Sequence, residues 1–193
     1  MGLDKNTNYI VSGLERSGTS MLMQILHAGG VPTAFDNSTR PPDDSNPKGY
    51  FELEGGKIIN KLMEGAFPLK AFKGQFIKIT AYGLKFLPPG HYRVIYSERD
   101  IEEILDSMEK MARIEDTSRS ETREVFIKLN TVIKGLILNR EDMDVLLVNY
   151  NQILKNPKDS IQRIHDFLNS SDFSPEQMVS CVNQNLYRKR QIS

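Results

Sequence analysis

The chain has 193 residues, and its 25 basic and 25 acidic side chains cancel. That length suffices for one domain with a substantial core, and the charge balance gives no general attraction to nucleic acid or to an anionic membrane. The single cysteine, Cys181, excludes an internal disulfide, no apolar run approaches membrane-spanning length, and residues 1–8 lack a signal-peptide core. A single cytoplasmic domain over 1–193 is expected, with no nucleic-acid partner and no membrane span.

Tyr9 to Val11 predicts a buried strand, Ser12 to Ser20 a turn rich in Gly, Ser and Thr, and Met21 to Ala28 a largely buried helix. A strand, a Gly-bearing loop and a helix N-terminus make an anion site, because loop N–H groups and the positive end of the helix dipole converge. Gly13 and Gly18 stand five apart, as in the nucleotide-binding loop G-x-x-x-x-G-K-[ST]. Thr19 occupies the lysine position, and a cation appears earlier as Arg16. The cradle is kept, whereas the group that reaches a β/γ-phosphate is not. Arg16, Ser17, Gly18, Thr19 and Ser20 are therefore candidate phosphate contacts; the alternative is a βα turn with no ligand.

Val31 to Gly49 is loop-like and rich in Pro, either a connection or a substrate lid. Ile58, Ile59, Leu62 and Met63 are spaced for a short amphipathic helix within Gly55 to Ala66. Phe76 to Thr80 and Tyr92 to Ser97 read as strands, separated by a turn at Leu87 to Gly90. A helix follows from about Asp100 to Arg113, with Ile101, Ile104, Leu105, Met108, Met111 and Ala112 inward. The next starts near Ser118, with Ser118 and Glu121 as a capping box and Val125, Phe126, Leu129, Val132, Ile133, Leu136 and Ile137 as its stripe. Asp144 to Asn149 is a fourth strand. Asn156-Pro157 and Ser174-Pro175 open two more helices, and Tyr187 to Arg190 is a basic tail.

Apolar strands alternating with helices predict a three-layer α/β fold: a mainly parallel sheet with helices on both faces, like that of P-loop nucleotide hydrolases. Ligands in such sheets bind at the carboxyl ends of the strands. Arg99 stands there after the third strand, and Ser107 lies eight residues on. Arginine offers a planar fork of donors to a phosphate, and a serine hydroxyl could add another. Alternatively, Arg99 pairs with Asp100, Glu102 or Glu103 on a solvated helix start.

Together these stretches resemble a family. Gly13-Leu14-Glu15-Arg16-Ser17-Gly18-Thr19-Ser20 is similar to the 5′-phosphosulfate loop of the sulfotransferases, which use 3′-phosphoadenosine 5′-phosphosulfate. Arg99 and Ser107 resemble that family's Arg and Ser pair for the 3′-phosphate. Lys78-Ile79-Thr80 followed by Leu87-Pro88 is similar to its Lys-Thr-His segment and later Leu-Pro. Asn149-Tyr150-Asn151, with Pro157 and Phe167-Leu168, resembles its Tyr-Glu-Asp segment. The resemblance runs over most of the chain. It implies the P-loop-like fold, transfer of a sulfuryl group from that donor to a hydroxyl or amine acceptor, no metal, Tyr150 near the adenine, and Arg188 in the basic loop over the 3′-phosphate.

The departures shape the expected chemistry. Thr80 stands where the family has its catalytic histidine, and Arg16 where it has lysine. Arg16 can stabilise charge but stays protonated, so it cannot donate a proton. Glu15 beside an anion is unexpected. A base must take the acceptor proton. His91 precedes a strand, at the wrong sheet edge, and His27 and His165 lie on helices. Glu52, after the long loop, is the first choice and Glu54 the second. The sequence leaves open the acceptor and the oligomeric state. Two other classes compete: a Mg²⁺-dependent phosphotransferase with Ser20 and Glu98 or Asp100 on the metal, and a nucleotide-binding module without chemistry, which the lost histidine favours.

Overall fold

The structure, a computed structural model, describes residues 2–36, 38, 41–43, 46 and 49–182. Four strands, β1 (Asn8–Gly13), β2 (Phe76–Lys78), β3 (Tyr92–Glu98) and β4 (Met143–Asn149), form a wholly parallel sheet in the order β2-β1-β3-β4. Seven α-helices accompany them among the described residues: α1 (Thr19–Ala28), α2 (Ile58–Met63), α3 (Ile101–Ala112), α4 (Arg119–Leu138), α5 (Tyr150–Lys155), α6 (Pro157–Leu168) and α7 (Pro175–Cys181). None of the described helices is long and apolar enough to cross a membrane.

Side chains alternate across a strand, so each strand feeds two cores. Tyr9 and Val11, Phe76, Ile95 and Val148 meet α1, α5, α6 and α7 on one face, through Leu22, Ile25, Ile153, Ile161 and Met178. Ile10, Ile77, Val94 and Tyr96 meet α2, α3 and α4 on the other, through Ile58, Leu62, Ile104, Ile133 and Ile137. Burial on both faces explains the near-continuous apolar runs of β1 and β3, and each fully buried Ile or Leu contributes about 1.5–3 kcal/mol. This is the expected three-layer fold.

Local details depart from expectation. β2 ends at Lys78, and Thr80 starts a 3₁₀ turn at Ala81–Phe86. Ser118 makes no side-chain cap. Val125 and Val132 are 62% and 50% exposed and leave the stripe of α4, whose buried residues are Ile133 and Ile137. Met63 is exposed as well, and only Ile58 and Leu62 anchor α2. The short helix α5 was not expected; Asn149 caps it, its side chain accepting from the Gln152 N–H at 3.0 Å.

Candidate active site

The carboxyl ends of all four strands open on one cleft of about 320 Å³. The chain moves from β1 to β2 on one side and to β3 on the other, so the cleft lies at the reversal of strand order, where such sheets take ligands.

The loop after β1 forms its floor. The Ser97 hydroxyl at the end of β3 donates to the Ser17 carbonyl at 2.7 Å, tying the loop to the neighbouring strand. A Cβ on Gly13 would overlap the Ser17 hydroxyl and the Ser97 carbonyl. Gly18 has φ 102° and lies close against the Tyr150 ring, which a Cβ would overlap. It is the N-cap of α1 and supplies no side-chain cap, and the first turn carries no acidic residue. The leading N–H groups of α1 thus face the cleft with the positive end of the helix dipole. The Ser17 hydroxyl is buried without a hydrogen-bond partner among the described residues. A cradle closed to any larger side chain and a buried hydroxyl left unsatisfied both suit an oxyanion.

Two cations stand over the loop. Arg16, at φ 64°, donates from Nε to the Ser107 hydroxyl at 3.0 Å. Arg99 donates from Nη1 to the Arg16 carbonyl at 3.0 Å and from Nε to Glu103 at 2.9 Å, and its guanidinium lies 4.3 Å from the centre of the Tyr150 ring. The two motifs expected to bind separate phosphates are thus joined at Arg16. The pairing of Arg99 with Glu103 coexists with its place on the cleft wall. Tyr150 is held above its ordinary pKa, chiefly by burial, with Arg99 opposing the shift.

The opposite wall is built around Lys78 at the end of β2. Its ammonium donates to the Ser20 hydroxyl at 3.1 Å, bonds the Tyr50 carbonyl, and pairs with Glu52 at 2.8 Å. Side-chain exposure is 5% for Lys78 and 12% for Glu52, so the pair is largely desolvated. The backbone around Glu52 is contorted: Phe51 and Glu54, neither of them glycine, sit at φ 55° and 50°. Glu54 pairs with Lys61 at 2.7 Å and does not line the cleft. The hydroxyl of Thr80 is buried beside the cleft without a hydrogen-bond partner among the described residues.

Arg16, Gly18, Thr19, Ser20, Glu52, Arg99, Ser107 and Tyr150 all line the cleft, and Ser17 lies beneath them. Arg188 lies outside the described residues. No histidine lines the cleft, and His91 sits at the far edge of the sheet, its carbonyl bonded to the Asn8 N–H. Glu98 is paired with Lys134 and Asp100 caps α3, so neither suggested metal-binding carboxylate is turned to the loop. Among the described residues no group of three or more His, Cys, Asp or Glu is placed to hold a metal ion. Sequence reasoning missed the pairing of Lys78 with Glu52; the signal was a lysine inside the apolar run Phe76 to Ile79. It also missed the second bond of Glu103, to Asn151.

A parallel sheet with a glycine-bearing anion loop at its switch point defines an α/β protein of the P-loop type. The family model described as sulfotransferase domain matches residues 6–191, so the chain belongs to the sulfotransferase domain family and is a transferase by family. No curated protein matches it. Among solved structures it is similar to mouse sulfotransferase SULT7A1 complexed with PAP, at TM-score 0.58 and 15% identity, covering 100% of this chain and 70% of that one. It is also similar to the sulfotransferase domain of the Synechococcus PCC 7002 olefin synthase, at TM-score 0.51 and 15% identity, covering 100% of this chain and 86% of that one. At such identity these two likenesses bear on the fold.

Proposed function

We propose that the protein transfers a sulfuryl group from 3′-phosphoadenosine 5′-phosphosulfate to a hydroxyl or amine acceptor. The observation that carries this reading is the junction of the loop cradle with a second basic set, Arg16 bonded to Ser107 and Arg99 bonded to the Arg16 backbone, in one cleft. Two anion-binding sets beside a buried aromatic ring suit a nucleotide with phosphate at both ends. The complex of the mouse neighbour with PAP accords with it. When bound, the donor supplies the activated sulfuryl group.

The roles of the chain's own residues follow from their chemistry. The loop N–H groups, with Thr19 and Ser20, hold the 5′-phosphate. Arg16 stabilises the charge that develops as the bond from sulfur to that phosphate breaks. Arg99 and Ser107 hold the 3′-phosphate, and Tyr150 offers its ring to the adenine. Glu52 takes the proton of the acceptor as the new bond to sulfur forms. Its support is position: it faces the cleft, next to Lys78 and Thr80, in a backbone whose positive φ values store strain of about 1–3 kcal/mol per residue. Lys78 holds the carboxylate in place and tethers it to Ser20.

The test is turnover. With labelled sulfate donor, a panel of alcohols, phenols, sugars and amines should reveal an acceptor that gains label without Mg²⁺ and in the presence of chelator. Donor binding without transfer to any acceptor would favour a binding module. Transfer from ATP that EDTA abolishes and Mg²⁺ restores would favour the phosphotransferase.

A further inference from the structure

We infer that Glu103 is a positioning residue for donor recognition, fixing the Arg99 guanidinium so that Nε and Nη1 are spent on the protein and the remaining N–H groups, those of Nη2 above all, are presented to the cleft. This rests on the reading of Arg99 as a contact for the donor's 3′-phosphate.

Glu103 is only 4% exposed, in the first turn of α3. Its backbone N–H is held by the Asp100 side chain at 3.1 Å, which fixes the start of the helix. Its two oxygens reach different elements. Oε2 accepts from Arg99 Nε at 2.9 Å, and Oε1 accepts from Asn151 Nδ2 at 2.9 Å. Arg99 is therefore held from three sides: the Glu103 carboxylate at Nε, the Arg16 carbonyl at Nη1, and the face of Tyr150. Nη2 donates to no described residue. A guanidinium carries five N–H donors in a rigid plane, so fixing Nε and Nη1 fixes the direction of those that remain.

A desolvated ion pair is a poor source of stability, since its desolvation cost offsets most of the attraction. Glu103 also subtracts charge from the cation proposed to bind an anion. On electrostatics alone its removal should tighten binding of a doubly phosphorylated nucleotide. Its value lies in geometry: through Asn151, the neighbour of Tyr150, the carboxylate couples α3 to α5, so that the guanidinium and the ring beneath it are set together.

The experiment compares adenosine 3′,5′-bisphosphate with AMP by calorimetry in wild type, Glu103→Ala and Glu103→Gln, with folding checked by circular dichroism. Wild type should prefer the bisphosphate. Glu103→Ala should lose about tenfold of that preference, the scale of one charge-assisted contact, with AMP affinity held. Glu103→Gln keeps an acceptor for Arg99 and should restore part of it. An Ala variant that binds the bisphosphate as well as or better than wild type overturns the proposal, as does equal weakening toward both nucleotides, the mark of a merely structural role. Should Glu103→Ala not fold, Asn151→Ala removes the bond to Glu103 Oε1 and leaves that to Arg99 in place: a reduced preference is expected, and an unchanged one overturns the proposal. Equal wild-type affinities would instead strike the reading of Arg99 itself.

Discussion

On the α3 side of the cleft, Arg99 and Tyr150 stand beside the ends of regular elements and Ser107 in the middle of α3, and they are bonded to one another or to the loop below. On the β2 side, Glu52 belongs to an irregular stretch with left-handed residues on either side, and it is held by a lysine from a three-residue strand. Both walls join distant segments, since the bonds of Arg16 to Ser107 and of Arg99 to Arg16 span 91 and 83 residues and that of Lys78 to Ser20 spans 58. They differ in regularity: the first is carried by β3, α3 and α5, the second by an irregular stretch. Recognition of the constant part of a substrate suits the first construction. Recognition of an acceptor suits the second, since irregular segments can vary without disturbing the sheet.

The sharpest way to separate the walls is Glu52→Gln. It keeps the shape of the side chain and leaves both basic sets intact, so nucleotide affinity should hold. Transfer should fall roughly 10²–10⁴-fold, the usual loss with a positioned base. Transfer at the wild-type rate would remove Glu52 from the mechanism and leave its pairing with Lys78 as architecture.

Arg99→Ala addresses the other wall. Bisphosphate binding should weaken by about 1.5–3 kcal/mol, as for a charge-assisted contact, with AMP nearly unchanged by calorimetry. Gly18→Ala follows in size. Its Cβ would meet the Tyr150 ring at a backbone angle that favours glycine, and overpacking of this kind costs about 1–3 kcal/mol in a melting experiment. A variant as stable as wild type would mean that the ring can withdraw, and that the α3 wall is softer than its bonds suggest.

The smallest effect lies far from both walls and serves as a control. Asp142, at the other end of the sheet, is held well below the usual carboxylate range, first by its hydrogen bonds from Arg140 and then by the Gly90 N–H, against a desolvation cost. A carboxyl depressed in the folded state adds stability above its unfolded pKa of about 3.9 and loses it as pH falls toward the folded value. The side chains are 22% and 28% exposed, so the pair is worth at most about 1 kcal/mol. Asp142→Asn should flatten the acid limb of the stability curve by that amount and leave nucleotide binding at neutral pH unchanged.

The same contrast decides what could be read from the sequence. The apolar runs of β1 and β3 and the spacing of Gly13, Gly18, Arg99 and Ser107 were legible, because a two-sided sheet and an anion loop each impose a local pattern. The stripe of α4 was read too wide: Val125 and Val132 fit the helical period but find no described layer to bury them. Helix α5 was missed although Asn149 and Gln152 have capping-box spacing, since Asn149 also ends a strand. The pairing of Lys78 with Glu52 could not be read, because it depends on how residues 49–56 fold back over the end of β2. The tie of Glu103 to Asn151 crosses from α3 to α5, and only the order of β3 and β4 in the sheet brings those helices together.

That two anion-binding sets in one cleft recognise a nucleotide phosphorylated at both ends is tested most directly by calorimetric titration of the wild-type protein with adenosine 3′,5′-bisphosphate and with AMP, side by side. The bisphosphate should bind at least about tenfold more tightly, the least that one further charge-assisted contact of about 1.5–3 kcal/mol supplies. Equal affinities would contradict the claim.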